Sequence, residues 1–474
     1  MDPNLPQQSP QATPPPQAAQ PAAPKPLDPY YGHQPKNGSI LKKLIILVVG
    51  LLILVGIIIG GITIIGKLQG PKTPKDVTLK YWGLWDDKSV MQPLIEDFER
   101  THPHIKIQYE KQDIKGLGQY IDRLATRIDN GTGPDVYRFH SSWTPQLYQS
   151  LLLPFPQSVV DDTKLESDYY KTVQRDMKIG GAYYGIPLGI DTLSMYVNTK
   201  LLADKGLPIP TDWNDIYVKY VSELVVKDEN GKILTPSISL GTFDNISHAP
   251  DIIAMLLLQN RADLRDLTGN SKKNTYGAFT FYTSFASGDK AVWDATLDNS
   301  TLAFAKGNLP LYFGYSWDIF AIKGLNPNLE FEVVKVPKLA GRNNTVSSYW
   351  AEGVSRKTKN SKEAFEFLDF ISQPESLQKI YQTQSKVRLF GTLYPRRSMA
   401  PLLSSNKLVY PFVAQADDAQ STFFSSDTYD GDSGMVTKMN VYLGNAIRSI
   451  NNNASVESAV DTLSNGVSQV LSGN

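Results

Sequence analysis

The sequence predicts an α/β protein of two lobes set behind one transmembrane helix. Three observations carry that expectation. Leu44 to Ile65 is an uncharged run long enough to cross a bilayer, and strands and helices alternate from residue 77 onward. A glycine-punctuated extended stretch, Gly180 to Asn198, then separates a parallel-sheet half from a more helical half. With 474 residues, 41% of them hydrophobic and 20% charged, the chain has material for two or three domains.

Residues 1–43 are rich in Pro, Gln and Ala, and hold too few large apolar residues to offset the entropy of ordering, so they read as a disordered tail. The run LIILVVGLLILVGIIIGGITII, 22 residues without a charge, would reach roughly 33 Å as a helix, enough for a bilayer core. A cleaved signal peptide would have an apolar core about half as long and a small-x-small cleavage site after it. Gly66-Lys67-Leu68-Gln69-Gly70 offers no such site, so residues 44–66 read as an uncleaved anchor and 67–76 as a linker. Gly56 and Gly60 have the spacing of a helix-pairing motif, a spacing that chance also supplies in membrane helices. Four lysines precede the span and four follow it, so flanking charge does not set its orientation.

Beyond residue 66 the net charge is near −2, and no basic stripe or tract appears, so nucleic acid is not an expected partner. The chain has no cysteine. Disulfides, thiolate metal sites, a cysteine nucleophile and lipidation on cysteine are therefore out of reach.

Val77 to Trp82 alternates as a strand, and Met91, Leu94, Ile95 and Phe98 follow at helical spacing. Ile105 to Tyr109 reads as a second strand. A helix with Leu117, Ile121, Leu124, Ala125 and Ile128 on one face ends at Asn130-Gly131, before a third strand over Asp135 to Phe139. Strand, helix, strand, helix, strand implies a parallel sheet. Thr211 or Asp212 should cap a helix that turns Trp213, Tyr217, Tyr220 and Leu224 inward, and Ile252 to Leu258 is apolar all round, as a buried helix is. Leu309 to Phe313, Phe331 to Val336 and Tyr349 to Val354 read as strands. Ser361 should cap a helix burying Ala364, Phe367, Leu368 and Ile371 that stops before Pro374.

In open parallel sheets ligands lie beyond the carboxyl ends of the strands. Trp82 and Trp85 end the first strand, Arg138, His140 and Trp143 follow the third, Tyr315 and Trp317 follow Leu309 to Phe313, and Trp350 opens the last. Four of the seven tryptophans thus fall at strand ends beside polar groups. Flat aromatic faces stack on the C–H face of a sugar ring, while carboxylates and guanidiniums serve its hydroxyls. Within Gly180 to Asn198, Asp191 puts a carboxylate where a core strand would hold something apolar. It is either a turn residue capping its own backbone or a group presented to a cleft.

The chain from Val77 to Val470 resembles the extracellular solute-binding proteins of family 1, the group of maltose and oligosaccharide receptors of ABC importers. The resemblance rests on VTLKYWGLW with LIEDFERTHPHIKIQYE, RIDNGTGPDVY, YYGIPLGIDTLSMYVNTKLLADKGLPIPTDWNDI, GNLPLYFGYSW and WAEGVSRKTKNSKEAFEFLDFISQPES, in the family's order. It implies a two-lobed clamshell of the periplasmic-binding-protein kind over residues 77–474. The first lobe would be mainly 77–185 and the second mainly 195–345, with later segments returning between them. It implies closure on a carbohydrate or related polar solute by hinge bending, without a chemical step, cofactor or metal, and delivery to ABC permease subunits. By position it makes Trp82, Trp85, Asp191 and Trp317 the leading contact residues, with Trp350, Tyr315 and Arg138 behind them. It puts 77–474 outside the cell and 1–43 in the cytoplasm. The family is normally secreted or lipidated, so a membrane span is a departure.

Two rival classes remain open at the level of sequence. Tryptophans and carboxylates also describe a glycoside-acting enzyme, although no nucleophile motif, H-E-x-x-H or phosphate loop is present. A membrane-fixed sensor or adhesin would use the same clamshell. Asp427, Asp430 and Asp432 fit a calcium loop only in part, and His102 and His104 read as turn residues. Arg138, Arg388, Arg396 and Arg397 leave room for an acidic or phosphorylated sugar, a peptide or another polar solute.

Overall fold

A computed structural model of the chain describes residues 39–68, 75–112 and 116–473. The Pro/Gln-rich tail as far as residue 38 and the linker over 69–74 lie outside the described residues. Two units are distinct, residues 1–74 and 75–474. In the first, one helix, α1 (Ser39–Leu68), contains a 20-residue window from Lys42 to Gly61 that is long and apolar enough to cross a membrane. Leucines, isoleucines and valines from Leu44 to Ile59 are exposed on it, as suits a lipid-facing surface.

The second unit starts with β1 (Val77–Gly83), α2 (Lys88–Thr101), β2 (Ile105–Lys111), α3 (Leu117–Asp129) and β3 (Val136–His140). Both helices are amphipathic: Val90, Met91, Leu94, Ile95 and Phe98 line the buried face of α2, and Ile121, Leu124 and Ile128 that of α3. The α3 helix ends as its sequence dictates, with Asn130 at the C-cap and Gly131 at φ +67°, its N–H donating to the Ile128 carbonyl. β1 pairs in parallel with β2 and β3, in the order expected of right-handed crossovers.

The chain then crosses by three short strands, β4 (Ile186–Pro187), β5 (Asp191–Thr192) and β6 (Ser194–Val197). α4 (Ala249–Gln259) is buried on nearly every side, as the apolar run from Ile252 to Leu258 within it requires. Asp212 caps the helix that carries the fully buried Trp213, accepting from the Asn214 N–H at 2.7 Å. β7 (Leu311–Gly314) and β8 (Glu332–Val334) flank β6 in an antiparallel sheet, with α5 (Asp318–Leu325) following β7.

β9 (Thr345–Ser348) returns antiparallel to β5, and β10 (Trp350–Val354) rejoins the first sheet, giving the order β2-β1-β3-β10-β4. A third segment, β11 (Ala419–Gln420), pairs in parallel with β9. Two sheets are thus linked by strands running side by side, the ladder that a hinge needs. Next come α6 (Ser361–Ile371) and α7 (Pro374–Gln384), and α8 (Met435–Asn451) and α9 (Val456–Ser472) close the chain. Asn360, not Ser361, stands at the N-cap of α6, where no side chain caps; Ser361 is already helical. Pro374 ends nothing further: it opens α7, where a missing N–H costs no bond.

Candidate functional site

Between the two sheets, where β4–β5 and β9–β10 run across, lies a cavity of about 640 Å³. One wall comes from the first sheet. Trp350, at the start of β10, meets Trp85 edge-on at 4.6 Å and is itself backed by Trp143 and His140, both at 5.1 Å. Trp85 follows β1 with φ +63°, a conformation that costs a bulky residue about 1–3 kcal/mol and holds its half-exposed ring in the cavity wall. Beside them Arg138 donates from Nε to Glu352 at 2.7 Å and from Nη1 to the Leu84 carbonyl at 3.2 Å and Asp86 at 3.4 Å.

His140 lies just behind this wall. Its Nδ1 accepts the Ser142 N–H at 3.2 Å, so the ring proton is on Nε2 and is donated to the Ser348 hydroxyl at 3.0 Å. Burial pushes the imidazole down to about 3, so it stays neutral, and Ser348 keeps its own proton for the cavity.

The facing wall belongs to the second sheet. Trp317 stacks on Tyr315 at 4.4 Å with an interplanar angle of 14°, so one indole face is backed and the other is available. Tyr315, fully buried, is anchored by donation to Asp251 at 2.7 Å. Around the tryptophan runs a chain of hydrogen bonds: Ser247 to Thr301 at 2.7 Å, Thr301 to Tyr312 at 3.0 Å, Tyr312 to Asp318 at 2.8 Å, and Asp318 to His248 at 2.7 Å. Burial alone would lower the His248 imidazole, but Asp318, helped by Asp427 and Asp251, outweighs it and raises it to about 9. His248 is therefore a buried cation held by carboxylates at neutral pH.

Asp191 sits where the lobes meet, and both sequence readings describe part of it. Its Oδ1 accepts the N–H of Thr192 at 2.9 Å, the local bond of a turn residue. Its Oδ2 accepts the Ser316 N–H at 3.0 Å and bonds the Ser316 hydroxyl, and the residue also lines the cavity. Burial raises its carboxyl to about 8 against the pull of the bonds from Ser316 and Thr192, so it is mostly protonated near pH 7.

Of the residues singled out in sequence, the structure brings Trp85, Arg138, Asp191, Trp317 and Trp350 together on the cavity. Trp82 and Tyr315 are not on its wall. Alternation along β1 turns Trp82 away, where its indole N–H donates to Glu110 at 2.9 Å and Arg123 covers its ring at 6.0 Å. Sequence reasoning passed over Asp86, Ser247, His248, Thr301, Phe320 and the segment Phe390–Leu393, all on the wall; Arg388, weighed in sequence only as one of four arginines that leave room for an acidic or other polar ligand, is there too. The three aspartates weighed as a calcium loop diverge. Asp427 faces His248 at 3.8 Å, Asp430 accepts the N–H groups of Val436 and Thr437 at the start of α8, and Asp432 bonds Tyr429.

Over residues 82–378 the chain matches the family of bacterial extracellular solute-binding proteins. A multiple sugar-binding protein of Streptococcus mutans is 24% identical over 415 residues, which cover 80% of this chain and 92% of the relative. Among solved structures, the cyclic α-maltosyl-1,6-maltose-binding protein from Arthrobacter globiformis superposes with a TM-score of 0.68 at 18% identity, over 84% of this chain and 99% of the other. The sugar-binding protein MalE from Xanthomonas citri gives 0.66, also at 18% identity, over 84% and 98%. The likeness to these structures establishes a shared two-lobed fold.

Proposed function

Since the chain belongs to the bacterial extracellular solute-binding proteins, we propose that it captures a sugar or oligosaccharide between its lobes and hands it to an ABC permease. The observation that carries this reading is the pair of aromatic walls: Trp85 and Trp350 on one side of the cavity, the free face of Trp317 on the other. Each face suits the C–H side of a sugar ring, and Ser348, Ser247, Thr301 and the carboxylates between them suit its hydroxyls.

Closure follows from the hinge. β5 and β9 are joined by a few bonds, so a small change in their twist swings one sheet against the other. Ligand touches both walls only in the closed form and shifts the population toward it. The family consists of binding proteins, and the site is read here as a receptor without a chemical step. In the same reading α1 is an uncleaved anchor, the tail is cytoplasmic, and residues 77–474 are held outside the cell next to the permease.

The test is calorimetric titration of the full chain in detergent micelles with linear gluco- and manno-oligosaccharides, with chromatography of the sugar after long incubation. Saturable binding without products is expected. Folded protein that binds no sugar, or that cleaves one, would overturn the proposal.

A further inference from the structure

Arg388 is the cavity's uncommitted cation. The segment after α7 is tied across the cavity by the Thr392 N–H donating to Gln384 at 2.6 Å and by the Ile190 N–H donating to the Leu393 carbonyl at 3.0 Å. On this segment Phe390 stacks on Phe320 of α5 at 4.6 Å, and the Arg388 guanidinium lies over the Phe320 ring at 5.4 Å. The face of Phe320, itself stacked on Phe390, therefore fixes where the charge sits. Among the described residues the guanidinium makes one hydrogen bond, from Nη2 to the Thr392 hydroxyl at 3.1 Å, and its Nε has no partner there. Among the described residues no carboxylate lies within ion-pair distance of it.

The other arginines singled out in sequence are engaged. Arg138 serves Glu352 and Asp86, Arg396 serves Asp168, and Arg397 bonds the Glu166 carbonyl. Asp86, whose charge acts on Arg388, has its oxygens taken by Arg138 and Gln384. Partial burial disfavours the charged guanidinium. A cation held there without a carboxylate costs stability unless something arrives to complete it.

Resting on the sugar reading above, we propose that the ligand is an acidic sugar whose anionic substituent pairs with Arg388. A planar guanidinium presents parallel N–H donors to a carboxylate or a sulfate, a geometry that a lysine would not offer. Ile380, Phe320, Phe390 and Leu393 line the same cavity wall, and an apolar surround of this kind strengthens a charge pair.

The test uses the full chain in detergent micelles and trisaccharides matched in length: trigalacturonate, a sulfated galactose trimer, and the neutral galactose trimer. At least one anionic trimer is expected to bind roughly ten- to hundredfold more tightly than the neutral one, the difference that a charge-assisted bond supplies. Preference for the uronate identifies a carboxylate as the partner, and preference for the sulfated trimer a sulfate; either supports the proposal. Arg388→Gln should erase the preference, and Arg388→Lys should keep only part of it. The ligand-free melting temperature of Arg388→Gln should fall only slightly, because the Thr392 bond and the Phe320 contact are lost but no protein ion pair is. Equal or tighter binding of the neutral trimer, or a variant that keeps the preference, overturns the proposal and leaves the sugar reading in place. A variant that melts far lower without ligand, as on loss of a buried ion pair, makes Arg388 a structural residue and also overturns it. Folded protein that binds none of the trimers and none of the gluco- or manno-oligosaccharides removes both.

Discussion

Replacing Trp317 by Ala isolates the second wall of the cavity. One face of the indole is stacked on Tyr315, so only the other can meet a ligand. A buried tryptophan covers about 150–250 Å² in all, so one face offers roughly 100 Å², worth about 2.5 kcal/mol at 25 cal/mol per Å². Stacking geometry adds about 0.5–1.5 kcal/mol. The expected loss is therefore about 3–4 kcal/mol, on the order of 150- to 900-fold in Kd. The fold should survive, because Trp317 is only partly buried and Tyr315 remains anchored on Asp251. Calorimetric titration of wild type and variant with the same oligosaccharide, with circular dichroism melts alongside, reads both quantities. A change in Kd below threefold in a folded variant would refute the assignment of Trp317 to the ligand wall.

Three further outcomes follow from the buried charges. Asp191 is raised to about 8, whereas an unfolded aspartate ionises near about 3.9, so its contribution to stability falls as pH rises from about 4 to 8. Asp191→Asn should thus melt near the wild-type temperature at pH 4 and progressively above it as pH rises to 8, while binding ligand more weakly; a difference between the two melting temperatures that does not grow with pH would count against a protonated Asp191. His248, raised to about 9 from an unfolded value near about 6.5, stabilises fully below about pH 6.5 and loses that contribution as pH climbs through 9. His248→Gln should accordingly melt lower than wild type at pH 6 and show a flatter decline between pH 6.5 and 9, and parallel curves would contradict this. Glu352→Gln leaves the buried Arg138 with Asp86 alone and should cost about 3 kcal/mol in urea unfolding; a loss under 1 kcal/mol would show that Asp86 suffices.

The parts of this architecture that sequence made legible are those governed by local periodicity. Alternation in β1 to β3 and the apolar faces of α2 and α3 depend on neighbouring residues alone, and so the parallel sheet could be read directly. Strand-end tryptophans were readable for a related reason, since a large aromatic beside polar residues suits a cavity rim. Which of them face the cavity was not. Trp82 and Trp85 are three residues apart, and only the left-handed backbone at Trp85 brings its ring into the wall while Trp82 turns toward Glu110. Likewise Tyr315 and Trp317 form one stack, of which only the outer ring is free. His248 carries no motif. Its signal was a histidine just before a largely apolar, buried helix, a group that must find partners, and those partners come from residues about 70 and 180 positions away. Arg388 reaches the cavity only because its segment folds back onto the hinge at Ile190, a contact across nearly half the chain.

Capture by closure can be measured as a distance. Because the chain has no cysteine, Arg127→Cys on α3 and Lys219→Cys near Trp213 give two exposed labelling sites on opposite lobes without background. Spin-label distance distributions, recorded with and without a saturating oligosaccharide whose binding has been shown by titration, report the lobe separation. Lobe closure should shift the distribution to shorter distance and narrow it when ligand is bound. An unchanged distribution with ligand demonstrably bound would contradict closure and leave a rigid sugar-binding cleft in its place.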